Sequence, residues 1–205
     1  MAVIHRAQLN PTKLEAIVAW LPSQPWSGFS AGDDAVVAGR FRFDDPAGEV
    51  GVETVLVRTG DRVLNVPLTY RGAPLEGAEP FLLTEMDHSV LGRRWVYDAA
   101  GDPVHADVVR RAIATGGHEA DLLNAVEGRY EPGTKEGFAV GSGSDADSPT
   151  VTSVRVRTRG ALTTVSTGHG DLVVLREVGT PAPEGRTLLG TWGGGQPQVL
   201  VVLVG

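Results

Sequence analysis

Residues 50–58 (VGVETVLVR) and 62–70 (RVLNVPLTY) decide the fold, because they are two β-rich runs separated by only three residues. The connection Thr59-Gly60-Asp61 is a short turn of the kind that closes an antiparallel hairpin. Upstream, within residues 35–44, Arg40 and Arg42 alternate with Phe41 and Phe43, which is typical of a half-buried strand. The hairpin and this strand predict the start of an antiparallel sheet.

Two more strands are predicted downstream of the hairpin. Residues 81–87 and 93–97 have strand composition, and a sharp connection at Leu91-Gly92 separates them. The predicted sheet therefore has about five strands.

Three helices are predicted around this sheet. The first follows Asn10, which can cap it, and Pro11, which suits the first helical position. In the second, Asp102 caps and Pro103 begins the helix, and a Gly-Gly pair ends it. A third short helix is predicted over residues 119–126. Helices segregated from an antiparallel sheet indicate the α+β class.

The end of the chain reads as strands only, after a polar loop rich in Gly, Ser and Asp. We predict an α+β unit over residues 1–130, a flexible loop over 131–149, and a C-terminal all-β extension over 150–205 packed on the same body. The expected strands of the extension are 151–158, 162–166, 172–177, 188–192 and 199–204.

Composition excludes several classes of function. The net charge of −7 disfavours nucleic acid as a partner, because phosphate-binding domains usually carry a basic surplus. The chain has no cysteine, which suits a reducing compartment. Its amino terminus lacks the apolar stretch of a secretory signal. The apolar run 199–204 is far shorter than the ~20 residues of a membrane-spanning helix. We therefore expect a cytoplasmic protein without membrane or nucleic-acid partners.

No complete catalytic constellation is found in the sequence. The triplet His105-Ala106-Asp107 resembles the base of a kinase catalytic loop, but the position for the metal-binding Asn is occupied by Ala112. The only lysines are Lys13 and Lys135, and neither follows a strand as a phosphate-binding lysine would. No His-Glu-x-x-His motif occurs in the sequence. We expect no catalytic residue, no metal site and no cofactor, although carboxylates that meet only in the fold stay open.

One pair of arginines and one row of three arginines are possible binding surfaces. Arg40 and Arg42 share one face of a predicted strand, and Arg155, Arg157 and Arg159 share one face of another. Arginine recognises carboxylates and phosphates with two parallel hydrogen bonds. These residues indicate either an anion- or acid-binding surface or a plain solvated face.

Among the four tryptophans, Trp26 is the best candidate for an exposed ring, because it lies in a Pro-flanked loop. Trp20 and Trp95 have apolar neighbours and are expected in the core. An exposed indole ring can stack on a sugar, so Trp26 is a possible carbohydrate contact.

Three long strings carry a family resemblance. They are MAVIHRAQLNPTKLEAIVAWLPSQPW (residues 1–26), DRVLNVPLTYRGAPLEGAE (61–79) and HSVLGRRWVYDAAGDPV (88–104). Together they resemble the amino-terminal cap domain of actinobacterial maltokinases and related sugar kinases, over roughly residues 1–130. The resemblance implies a cystatin-like fold, in which a curved antiparallel sheet packs on a helix.

The resemblance also implies a functional context. In these kinases the cap adjoins the phosphate loop, while the catalytic residues belong to later lobes, so no catalytic residue is carried over. We expect a non-catalytic accessory, binding or regulatory protein linked to maltose, trehalose or glycogen metabolism. The alternative is an enzyme of the same context, either a reduced sugar kinase or an α-glucan-acting activity. Expected partners are a sugar kinase or α-glucan enzyme, a second copy of the chain, or a carbohydrate.

Overall fold

The computed structural model describes residues 2–5, 7–126 and 129–205. In chain order its helices and strands are β1 (Ala2–His5), β2 (Leu9–Asn10), α1 (Lys13–Trp20), β3 (Val36–Phe43), β4 (Gly51–Thr59), β5 (Arg62–Arg71), β6 (Leu82–His88), β7 (Gly92–Asp98), α2 (Pro103–Thr115), β8 (Leu122–Val126), β9 (Arg129–Pro132), β10 (Gly137–Gly141), β11 (Arg155–Arg159), β12 (Leu162–Ser166), β13 (Asp171–Leu175), β14 (Arg186–Trp192) and β15 (Gln198–Val204). Single 3-10 turns follow α1, precede β6 and precede α2.

The first six-stranded sheet, which we call the cap sheet, is antiparallel throughout and has the order β2-β6-β7-β5-β4-β3. The predicted hairpin is confirmed as β4 and β5, and Val55 pairs with Val66 at its centre. Because β4 is buried on both faces, its sequence lacks a simple alternation of polar and apolar residues. The predicted α+β class with a curved sheet is supported, although strands far outnumber the two α-helices.

Helix α1 packs on one face of the cap sheet. Ile17 and Trp20 form a cluster with Leu64 and Val66 of β5. The helix begins two residues later than predicted, because Thr12 rather than Asn10 is the cap. The Thr12 hydroxyl accepts from the backbone N–H of Glu15, whose carboxylate accepts from the Thr12 N–H. This reciprocal capping box satisfies two donors at the helix start, which explains why Thr12 takes the position.

Helix α2 is confirmed, whereas the third predicted helix is wrong. Asp102 caps α2 as expected, and Gly116 ends it in the left-handed conformation. Residues 122–126 instead form strand β8, which pairs in parallel with β1 and antiparallel with β9. The short amphipathic pattern of residues 119–126 suits either structure, and the pairing with the distant β1 and the neighbouring β9 decides for a strand.

The second six-stranded sheet, which we call the C-terminal sheet, has the order β10-β14-β15-β13-β12-β11 and is also antiparallel throughout. It covers the face of the cap sheet opposite α1. Helix α2 belongs to the same cluster of buried residues as the two sheets. One cluster of buried residues joins Phe41 and Leu56 of the cap sheet, Ile113 of α2, and Leu172 and Leu200 of the C-terminal sheet.

Polar side chains are also buried where the two sheets meet, and we call them the interface network. The Arg176 guanidinium donates to both carboxylate oxygens of Asp98 at 3.0 and 2.6 Å and to the Thr163 hydroxyl at 2.8 Å. The Asn65 amide donates to backbone carbonyls of two C-terminal strands. His105 of α2 lies in the same region, under the influence of Asp98, Asp102 and Arg176.

The loop predicted over residues 131–149 contains ordered structure. Gly137–Gly141 is strand β10, which pairs with β14, so the prediction is wrong for that part. The next residues lie against the end of α2, because the N–H groups of Gly143 and Asp145 donate to the carbonyls of Ile113 and Ala114. The glycines here permit a close backbone approach.

Replacing Gly143 by alanine is expected to destabilise the protein by about 1–3 kcal/mol, the usual cost of overpacking. A Cβ at this position would overlap the carbonyl oxygens of Ile113 and Ala114. Urea denaturation of Gly143→Ala measures the effect, and Ser144→Ala, which alters an exposed neighbour, is the control. Equal midpoints for the two variants would contradict the close packing.

Among the described residues, no helix is both long and apolar enough to cross a lipid bilayer.

Candidate functional site

A cavity of about 740 Å³ opens between α1, the cap sheet and the loop after β9. We call it the cap groove. Its polar lining includes Lys13, Arg40, Arg42, Glu53, Tyr70 and Glu136. Its volume lies within the range of about 300–1,000 Å³ that is typical of small-molecule sites.

An ion pair lies at the floor of the cap groove. Glu53 extends from β4 on the face that α1 covers, and its carboxylate bonds to the Lys13 ammonium of α1. The Glu53 side chain is only 3% exposed. Burial alone would raise the pKa of Glu53, but the charges of Lys13 and Arg42 hold it below the usual value. Glu53 is therefore an ionised acceptor within the groove.

Arg40 and Arg42 line one wall of the groove from β3, as their alternation predicted. Arg40 donates to the Glu136 carboxylate at 2.5 Å. Burial alone would lower the pKa of Arg40, but the Glu136 and Glu53 carboxylates raise it. Among the described residues, the buried Nε of Arg42 has no hydrogen-bond partner. Arg42 therefore presents an unsatisfied cationic donor to the groove.

Tyr70 supplies a second buried polar group, next to Glu53. Its hydroxyl is buried and meets no partner at full hydrogen-bond geometry in the described part of the chain. Burial raises the pKa of Tyr70 well above its usual value, and the nearby Glu53 carboxylate adds to the effect. The Lys13 ammonium lies 5.0 Å from the centre of its ring, which is a cation–π distance. The phenol is therefore neutral and able to donate.

The groove thus combines hydrogen-bond donors and acceptors with apolar surface. Leu9, Met86 and Leu91 supply apolar surface to the same cavity. An unpaired buried donor costs free energy unless a ligand or water satisfies it. The described residues contain no group of three His, Asp or Glu side chains that could hold a metal ion. The chemistry of the lining suits a small, uncharged or weakly anionic ligand that carries several hydroxyl groups.

The expectation that Trp26 is exposed is wrong. The ring is 7% exposed and belongs to the cluster around α1. It makes an edge-on contact with Trp20 at 5.7 Å between ring centres, and the Arg176 guanidinium lies 4.8 Å from its centre. Its environment excludes stacking on a sugar at the protein surface.

Arg155, Arg157 and Arg159 are placed away from the cap groove. They are exposed on β11, at the edge of the C-terminal sheet, and the structure does not bring them together with Arg40 and Arg42.

Three central groups of the groove were missed by sequence reasoning. Lys13, Glu53 and Tyr70 come from separate elements and meet only in the fold. Glu53 did carry a local signal, because it is an acid within the apolar run of a two-sided buried strand. A charge in such a position is almost always paired.

Comparison with known proteins adds the family context. No curated protein matches the chain. Residues 20–102 match the family model of the maltokinase N-terminal cap domain, a narrower range than the roughly 130 residues of the resemblance. The matched segment includes Arg40, Arg42, Glu53 and Tyr70 of the groove. The resemblance to the maltokinase N-terminal cap domain is thereby confirmed over residues 20–102.

Proposed function

We propose that this chain is a non-catalytic binding protein of maltokinase-related sugar metabolism, and that the cap groove holds a carbohydrate. The observation that carries the proposal is the buried, unpartnered Nε of Arg42, beside the ionised Glu53 and the Tyr70 hydroxyl. The match to the maltokinase cap supports the metabolic context. A cytoplasmic location, a cystatin-like arrangement of α1 on the cap sheet, and a link to maltose, trehalose or glycogen belong to the same proposal.

A carbohydrate fits the groove because each sugar hydroxyl both donates and accepts a hydrogen bond. Arg42 and Tyr70 supply donors, and the Glu53 carboxylate supplies an acceptor. The apolar side chains Leu9 and Met86 offer surface to the C–H face of a sugar ring. This mixture of a few polar groups over apolar walls is usual for small-molecule sites.

The ion pairs of Glu53 and Glu136 favour binding over catalysis at these two carboxylates. A general acid at neutral pH needs a raised pKa, whereas Lys13 and Arg42 lower the pKa of Glu53. Glu136 is held by Arg40. These two carboxylates are therefore engaged by cations and poorly suited to donate a proton to a leaving group.

Titration with maltose and maltooligosaccharides tests the proposal. We expect saturable binding by calorimetry, weakened by about tenfold or more in Arg42→Gln, since a hydrogen bond to a charged group contributes about 1.5–3 kcal/mol. Tyr70→Phe is expected to weaken binding less, by about two- to tenfold, because its hydroxyl is neutral. Arg58→Gln, which removes an exposed arginine from the same sheet, is the control.

The opposing outcomes are equally distinct. Blank titrations with these sugars, together with blank pull-downs with maltokinase and α-glucan enzymes, would sink the proposal. Turnover of ATP or of an α-glucan by the pure protein, lost on substitution of one carboxylate, would replace it with the enzyme alternative.

A further inference from the structure

Strand β11 is an open edge of the C-terminal sheet. It is the last strand in the sheet order and pairs only with β12. In the described part of the chain, no backbone hydrogen bond joins Arg155–Arg159 to a segment on the other side. Its outward N–H and C=O groups are a template for a further strand.

The three arginines of β11 all stand on one face of this edge. Val156 packs against the main core, and the Thr158 hydroxyl lies 2.9 Å from that of Thr163 on the neighbouring strand. The alternate residues Arg155, Arg157 and Arg159 therefore lie on the opposite face, and all three are exposed. Among the described residues, none of the three forms an ion pair.

A second copy of this chain is a poor occupant for the edge. In a centred antiparallel pair of two β11 strands, Arg157 would face Arg157 and Arg155 would face Arg159 on one surface. Like charges directly opposite each other destabilise a strand pair. The arginines thus disfavour pairing between copies and favour a partner of opposite charge. Such a basic strand is unusual in a chain whose net charge is −7.

We propose that β11 receives an extended segment of an acidic partner protein as an added strand, with carboxylates at alternate positions paired to Arg155, Arg157 and Arg159. Alternate residues of any strand repeat at about 6.6–6.8 Å, so a regular acidic segment matches the arginine spacing. Backbone hydrogen bonds supply affinity, and the charge ladder supplies specificity. The proposal does not depend on the cap groove.

A peptide of alternating Thr and Glu residues is the probe. Fluorescence anisotropy is expected to show binding to the whole protein that weakens as salt rises, and NMR is expected to show shifted amides at residues 155–159. A peptide with Gln in place of Glu is expected to bind about tenfold more weakly, and a backbone N-methylated Glu peptide is expected not to bind, since it cannot form the ladder.

Matched variants separate the ladder from general charge. The triple variant Arg155→Gln, Arg157→Gln, Arg159→Gln should lose about tenfold in affinity for the Glu peptide. The triple variant Arg58→Gln, Arg93→Gln, Arg129→Gln removes the same charge from exposed sites elsewhere and should bind as the unaltered protein does.

Four results would overturn the proposal. The first is no binding of the Glu peptide, and the second is equal binding of its N-methylated form. The third is preferential binding of single-stranded DNA or polyphosphate. The fourth is a dimer in light scattering that is absent in the β11 triple variant. The third outcome would assign the ladder to a polyanion, and the fourth would assign the edge to a second copy.

Discussion

Replacing Asp98 by asparagine is expected to lower the free energy of unfolding by about 3–5 kcal/mol. The carboxylate is the ionic partner of Arg176, whose side chain is 1% exposed. The backbone N–H of Ala100 donates a hydrogen bond to the Asp98 carboxylate at 3.2 Å. Asparagine keeps an oxygen that can accept this bond, so the local turn retains its cap. What is lost is the negative charge, and a guanidinium is left buried without compensation. Urea denaturation at neutral pH measures the change.

Two further variants test whether the effect comes from the buried charge. Glu85→Gln removes one side of the exposed Arg93–Glu85 pair, at 3.1 Å, and is expected to cost less than about 1 kcal/mol. Adding Arg176→Met to Asp98→Asn removes the orphaned charge and is expected to recover much of the stability. If Asp98→Asn cost no more than Glu85→Gln, the interface network would not be the buried ionic contact described above.

Lowering the pH from 6.5 to 4 is expected to reduce stability by about 3 kcal/mol through His105 alone. Burial lowers the pKa of His105 to about 4, against the opposing influence of the Asp102 and Asp98 carboxylates. The unfolded chain takes up a proton near pH 6.5, whereas the folded chain does so only near pH 4. The contribution of neutral His105 to the free energy of unfolding is therefore complete above pH 6.5. It falls by about 1.4 kcal/mol per pH unit between pH 6.5 and 4.

Denaturation midpoints measured between neutral pH and pH 4 test this dependence. His105→Gln should flatten the curve across that window, whatever its effect at neutral pH. His169→Gln, at an exposed histidine, is the control variant. Glu53 and Asp102, whose pKa values are lowered, begin to lose their contributions only below about pH 5, so the slope between pH 6.5 and 5 reports on His105. An unchanged slope in His105→Gln would show that the imidazole is hydrated.

Part of the candidate site was predictable because it follows strand alternation. Arg40 and Arg42 lie two residues apart on β3, so one face had to hold both. The Lys13–Glu53 contact had no such signal, because the two residues are 40 positions apart and meet only when α1 docks on the sheet. The burial of Trp26 was missed for the same reason, since Arg176 and Trp20 enclose a ring that its own loop would expose.

The sequence by itself determined the elements whose signals are local. The turn Thr59-Gly60-Asp61 brings β4 and β5 together, and Asp102 and Gly116 bound α2, because turns and caps are satisfied by neighbouring residues. Only the tertiary structure decided that residues 122–126 form a strand, that the C-terminal sheet covers the cap sheet, and that the groove holds the unpartnered donor of Arg42. Those outcomes depend on hydrogen bonds and burial between distant segments, and no local pattern records which distant partner a segment will meet.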